Sequence, residues 1–144
     1  MRLLADAMLG DLARLLRMCG HDTAYCLDRG VEADDAVLAL AESETRTLLT
    51  RDRELAARAT DSVLLSAKDT DEQLQELAAA GVSLDLTPGA RCGSCNGELR
   101  ELDGDEARAD YVADGADRVW TCRDCSQQFY RGGHWDDVEN RLPD

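Results

Sequence analysis

Two C-x-x-C pairs, "CGSC" at Cys92 and Cys95 and "CRDC" at Cys122 and Cys125, stand 26 residues apart. Thiolates are soft ligands that favour zinc, and two such pairs supply the four sulfurs of a closed tetrahedral site. A pair of disulfides or a redox dithiol is the competing reading. A cytoplasmic setting disfavours disulfides, and a redox motif is not normally doubled. Structural zinc is therefore expected on Cys92, Cys95, Cys122 and Cys125, standing in for the hydrophobic core that so short a segment lacks. Gly93 and Gly97 are expected to permit the tight turns that aim backbone N–H groups at sulfur. With four cysteines complete, His134 in "GGHW" reads as a packing or hydrogen-bonding residue beside Trp135. Cys19 and Cys26 read as small buried hydrophobes, and His21 as a partner for a helix C-terminus.

A second chemistry-bearing set is carboxylate. Asp6 ends "RLLAD", Asp34 and Asp35 open "DDAVLALA", and Asp52 and Glu54 follow "TLLT". In a parallel sheet, function collects at the carboxyl ends of strands, so these acids would converge if their strands are neighbours. Several carboxylates in one crevice need a counter-charge, and a divalent cation is the natural one. Mg²⁺ or Mn²⁺ held by aspartates with open water positions suits in-line attack on a phosphodiester. Aspartate is equally a good N-cap, and acids suit the first helical turn. Spacing leaves both readings standing. Asp6 tips the balance toward metal, because no cap role is evident between "LLA" and "AML".

The elements that must position these residues follow from hydrophobic patterning. "RLLA", "TAYC", "TLLT" and "SVLLS" are short apolar runs suited to strands buried on both faces. Between them lie amphipathic stretches. In "MLGDLARLLRMCG", Leu9, Leu12, Leu15, Leu16 and Cys19 keep helical spacing and Gly20 is a stop. In "DTDEQLQELAAAG", Leu74, Leu77 and Ala78 form the expected inward stripe. The alternation predicts βαβ units and a parallel sheet covered by helices. Pro88 and Gly89 mark a boundary, so residues 1–88 are expected as one domain and 89–144 as a cysteine-bearing second. "DGDEARADYVADGAD" reads as a solvated excursion.

Length and charge bound the rest. The 144 residues suffice for one main core. No run approaches the roughly 18 apolar residues of a membrane span and no signal peptide is visible, so a soluble cytoplasmic protein is expected. The net charge is −14, with 30 acids, 20 of them aspartate, and 15 arginines against a single lysine, Lys68. Such a surface is similar to that of proteins working in molar salt, where the Debye length falls to about 3 Å and hydrated carboxylates maintain solubility. Under that halophilic reading, negative charge is no argument against a nucleic-acid partner.

The ordered set "LLADAMLGDLARLLRMCGHDT", "DDAVLALA", "LLTRDRELAARA", "CGSCNGEL" and "WTCRDCSQQFYRGGHW" resembles the PIN-like ribonuclease group named after the C-terminal domain of the Mut-seven exonucleases. The resemblance runs through essentially the whole chain. It implies a PIN-like α/β domain, with a parallel sheet flanked by helices, followed by a C-terminal zinc ribbon. It also implies a metal-dependent ribonuclease in which Asp6, Asp34 (with Asp35 as competitor), Asp52 and Glu54 hold Mg²⁺ or Mn²⁺. Thr50 and Arg51 would flank that site, and the ribbon, with Arg123 and Arg131 beside Phe129 and Tyr130, would help grip RNA; the competing reading makes these aromatics the ribbon's own small core. The chain departs from the family at Asp11, usually basic, at Leu15, usually Trp, and in knuckles that lack their common proline. A non-catalytic RNA- or protein-binding module and a small-phosphoester phosphatase are the rival readings.

Overall fold

The computed structural model describes residues 1–143. Strand and helix alternate in the first part of the chain: β1 (Arg2–Ala5), α1 (Gly10–Met18), β2 (Asp22–Tyr25), α2 (Asp34–Ser43), β3 (Thr47–Thr50), α3 (Arg53–Arg58), β4 (Ser62–Leu64) and α4 (Thr70–Ala79). A single 3₁₀ turn, Leu27–Arg29, follows β2. The four strands form one parallel sheet in the order β2-β1-β3-β4. Short apolar runs suit this position because both faces of the sheet are covered. Leu3, Ala5 and Leu49 pack with α1 and α4 on one face. On the other, Leu4 and Leu48 pack with Val37 and Ala41 of α2 and with Leu55 of α3.

The expected stripe of α1 is buried throughout, and the helix stops at Gly20, whose φ of 86° lies in the left-handed region. The stripe of α4 differs from expectation. Ala78 is exposed, and Gln73 is buried in its place beside Leu74 and Leu77. Burial of Gln73 is possible because its Nε2 donates to the Ala67 carbonyl at 2.9 Å, whereas Ala78 has little apolar area to hide.

Beyond Pro88 come β5 (Leu99–Glu101), β6 (Val119–Cys122) and β7 (Gln128–Tyr130), an antiparallel sheet in the order β5-β6-β7, and then α5 (Gly133–Arg141). The acidic excursion has neither helix nor strand, but buried Val112 and the Tyr111 hydroxyl, which donates to the Gln128 carbonyl at 3.0 Å, pin it down. This part of the chain is fastened to the first. Val138 of α5 joins the core built by α1 and α4, and Arg141 Nε donates to Asp71 at 2.8 Å. Arg17 Nη1 donates to the Gly93 carbonyl at 2.9 Å, and the Asn96 amide bridges the Thr23 N–H and Asp22 Oδ1. Among the described residues no helix is long and apolar enough to cross a membrane.

Candidate functional site

The strand order has a switch point between β1 and β3. From β1 the chain moves outward to β2 through α1, on one face. From β2 it crosses back through α2, on the other face, to β3 and on to β4. Connections that leave neighbouring strands toward opposite faces open a crevice at their carboxyl ends, where ligands of open parallel sheets bind. Asp6 follows β1 and Asp52 follows β3, so both stand at that crevice.

A buried threonine ties the two together. Thr50, with no exposed surface, donates its hydroxyl to Asp6 Oδ2 at 2.7 Å and accepts from the Asp52 backbone N–H at 3.0 Å. Asp6 Oδ1 accepts in turn from the Ala7 N–H at 2.8 Å. Asp52 is the N-cap of α3: its Oδ1 accepts from the N–H groups of Glu54 and Leu55 at 2.9 and 3.1 Å. Capping occupies one carboxylate oxygen and leaves Oδ2 outside those bonds. The structural and metal readings of Asp52 are therefore compatible.

The other acids are held differently. Asp34 and Asp35 lie in the first turn of α2, whose N-cap is Ala33, so neither caps the helix. Asp35 is exposed and accepts from Arg58 Nη2 at 2.6 Å. Arg58 is held above its ordinary pKa by that hydrogen bond first, with Asp34 and Glu54 adding to the field. Thus Asp35 is taken by Arg58, while Asp6 and Asp52 share Thr50. Among the described residues no three acids bring ligand oxygens within 4.8 Å of one another. Arg51, beside them, has a buried Nε with no hydrogen-bond partner.

The four cysteines do converge. Their Sγ atoms all lie within 4.8 Å of one another, with Cys92–Cys125 at 3.7 Å and Cys95–Cys122 at 3.5 Å. A tetrahedron with metal–sulfur bonds of about 2.3 Å has edges of about 3.8 Å, so this cluster has the dimensions of a zinc–tetrathiolate site. The two knuckles repeat one backbone device. Asn96 N–H donates to the Cys92 carbonyl and Ser126 N–H to the Cys122 carbonyl, with both donors in the left-handed region at φ 71° and 66°. The turns therefore rest on Asn96 and Ser126, and neither Gly93 nor Gly97 supplies the left-handed residue. Gly97 is needed for room, since a Cβ there would lie 2.7 Å from Cys122 Sγ. Burial raises the thiols of Cys92 and Cys95. Burial opposes ionisation of Cys122 too, yet N–H groups of Cys125 and Asp124 aimed at its sulfur bring it below the usual range. His134 stands outside the quartet on α5.

The family described as the Mut7-C RNAse domain matches residues 1–142. The chain belongs to that family. Comparison with curated proteins and with solved structures found no match. In this Mut7-C chain the remaining cysteines fit their expected role: burial pushes Cys19 and Cys26 up to about 12, and both stay small apolar fillers. His21 does not act on the end of α1. Its ring is buried, with Nδ1 3.2 Å from the Met1 ammonium and Nε2 2.5 Å from the Ser83 carbonyl, so it joins distant segments.

Two positions escaped sequence reasoning. Asn96 of the Mut7-C chain looks like an ordinary turn residue, yet its side chain carries the joint to Asp22. Arg46 is almost fully buried and donates to the carbonyls of Leu3 and Asp22, to Asp22 Oδ1 and to Glu44 Oε1. The only sequence signal for Arg46 is an arginine set directly before the short run "TLLT".

Proposed function

We propose that this chain is a divalent-metal-dependent ribonuclease whose active centre is the crevice between β1 and β3. The observation that carries the reading is the buried Thr50 hydroxyl, which fixes Asp6 and Asp52 from adjacent strands at one switch point without neutralising either. Open oxygen donors of this kind fit Mg²⁺ or Mn²⁺, which keep several waters and bind through one or two carboxylates plus substrate phosphate rather than in a closed cage. A bound ion of that kind activates water and offsets charge on the phosphodiester.

The chain's own residues do the positioning. Asp6 and Asp52 would hold the ion, and Asp34 or Asp35 and Glu54 would add ligands or negative field around it. Arg51, which directly follows Thr50, flanks the acids and would meet a phosphate of RNA with its guanidinium. Residues 1–88 form the catalytic unit and 89–144 a ribbon closed by one zinc on Cys92, Cys95, Cys122 and Cys125, in a cytoplasmic protein.

The test is cleavage of single-stranded RNA in molar salt with and without added Mg²⁺ or Mn²⁺. Asp52→Asn keeps an Oδ1 able to cap α3 and deletes one charge, so the fold should persist while the rate falls on the order of 100-fold. Cleavage that ignores the divalent ion, or an Asp52→Asn variant as fast as the parent, would overturn the mechanism. Elemental analysis should find one zinc per chain in protein purified without chelator.

A further inference from the structure

A cavity of ≈ 270 Å³ lies between α1, the antiparallel sheet and the start of α5, away from the acids. Its size sits near the small end of ligand pockets, about 300 Å³ and upward, and suits one nucleotide unit rather than an extended segment. Its lining is unlike the rest of the molecule in two respects. The chain has six aromatic residues of the Phe, Trp and Tyr types, and four of them, Trp120, Phe129, Tyr130 and Trp135, meet here. Of its 144 residues 30 are acidic, yet among the described residues no acid lines this cavity; Arg14 does, and so does Arg91, whose guanidinium is already met by Asp22 at 3.7 Å and the Asn96 carbonyl at 3.1 Å. The Arg131 guanidinium, 5.7 Å over the Trp135 ring, adds positive charge at the edge.

Packing holds Trp120 in place. Gly89, at φ 74°, approaches so closely that a Cβ would fall 2.2 Å from Trp120 Nε1, and Arg118 lies 4.9 Å over the same ring. A purely apolar filler would need no arginines, and a phosphate site alone would need no cluster of rings. Flat rings that offer stacking surface, beside guanidinium groups in a strongly negative chain, match a ligand with an aromatic base and an anionic phosphate.

We infer that this cavity is a base-binding subsite that grips one nucleotide of single-stranded RNA by stacking, with Arg14 on its phosphate. The inference rests on the ribonuclease reading for the choice of RNA, but not on catalysis. α1 joins the two places: its amino end follows Asp6, and Arg14 and Met18 further along it line the cavity. RNA held here is thereby anchored beside the helix that leads back to the acids.

Both tryptophans of the chain line the cavity, so intrinsic fluorescence reads occupancy directly. Titration of the zinc-loaded protein with a six-nucleotide single-stranded RNA, without added Mg²⁺ or Mn²⁺, should give saturable quenching. Inorganic polyphosphate should give none. Anisotropy of a labelled RNA should then show Trp135→Ala weakening binding about tenfold or more, as loss of one stacking platform does. Trp135→Phe should retain most of the affinity, and Arg14→Ala, a change α1 tolerates, should weaken binding and flatten its salt dependence. Lys68→Ala, exposed and outside both places, should bind as the parent does. If Asp52→Asn cleaves like the parent while quenching saturates, the catalytic reading falls and the subsite stands. Absence of saturable quenching, or full affinity in a zinc-loaded Trp135→Ala variant, would overturn the subsite even if cleavage is confirmed.

Discussion

The two ends of the parallel sheet both carry carboxylates, and they hold them in opposite ways. At the amino end, Asp22 accepts from Arg46 at 2.8 Å, from Arg2 at 3.3 Å and from the Asn96 amide at 2.7 Å. Nearby Glu44 accepts from Arg29 in a two-pronged pair at 2.7 and 3.0 Å and from Arg46 Nε at 2.7 Å. Burial works against ionisation of Asp22, but these donors keep it below the ordinary carboxylate range. Hydrogen bonds from Arg29 and then Arg46 bring Glu44 down to about 2. At the carboxyl end, Asp6 and Asp52 are held only by a hydroxyl and by backbone N–H groups. Among the described residues no ion pair involves Asp6, Asp34, Asp52 or Glu54.

The contrast separates two uses of the same residue type. A carboxylate whose charge is met by arginine is closed to further cations and serves the fold. One oriented by neutral donors keeps its field, which is what a metal or a metal-bound phosphate requires. Fifteen arginines are available to the chain, so the lack of ion pairing at Asp6 and Asp52 is a matter of placement rather than supply.

The largest effect should come from the amino end. Arg46→Met keeps the stem and removes the charge, leaving Asp22, Glu44 and two carbonyls without their shared donor. Loss of one partner from a buried ionic network costs about 3–5 kcal/mol, so urea denaturation should show a drop of that order. A loss below about 1 kcal/mol would mean that the network only decorates the edge of the sheet.

At the carboxyl end, Thr50→Val preserves shape but cuts the link between Asp6 and Asp52. RNA cleavage should fall about tenfold, while stability drops only about 1–2 kcal/mol, the scale of one buried hydrogen bond. Unchanged cleavage kinetics in a folded Thr50→Val protein would deny the threonine its positioning role.

A smaller effect is expected with acid. The folded pKa of Glu44, about 2, lies below its ordinary value of 4.5, so its contribution is complete above about pH 4.5 and is lost as the pH falls toward 2. Glu44→Gln should therefore flatten the decline of the melting temperature across that window. Parallel declines in parent and variant would remove Glu44 from the account.

The smallest change should come from salt acting on the whole surface. If the net charge of −14 is an adaptation to molar salt, the melting temperature should rise from low to molar KCl as self-repulsion is screened. Identical melts would end the halophile reading.

What the sequence determined by itself was local. The C-x-x-C spacing marked the cysteines that converge, because each knuckle is closed within six residues by its own N–H bonds to backbone carbonyls and sulfur. Apolar runs located β1 and β3, since a strand buried on both faces has no polar alternation. Acids at strand ends were visible for the same reason, and Asp52 was readable as a cap from its place before α3. Only the tertiary structure decided which acids share a crevice. The order β2-β1-β3-β4 puts Asp6 beside Asp52 through Thr50, while Asp35 is taken by Arg58, a choice made by contacts across many residues. Long-range contact also turned Asn96 into a joint, seated Val138 in the first core and brought Arg14 of α1 to the aromatic rings of positions 120 to 135 around one cavity. Periodicity and propensity depend on neighbours in the chain. Such contacts depend on which surfaces meet once loops have closed, and no local pattern records that.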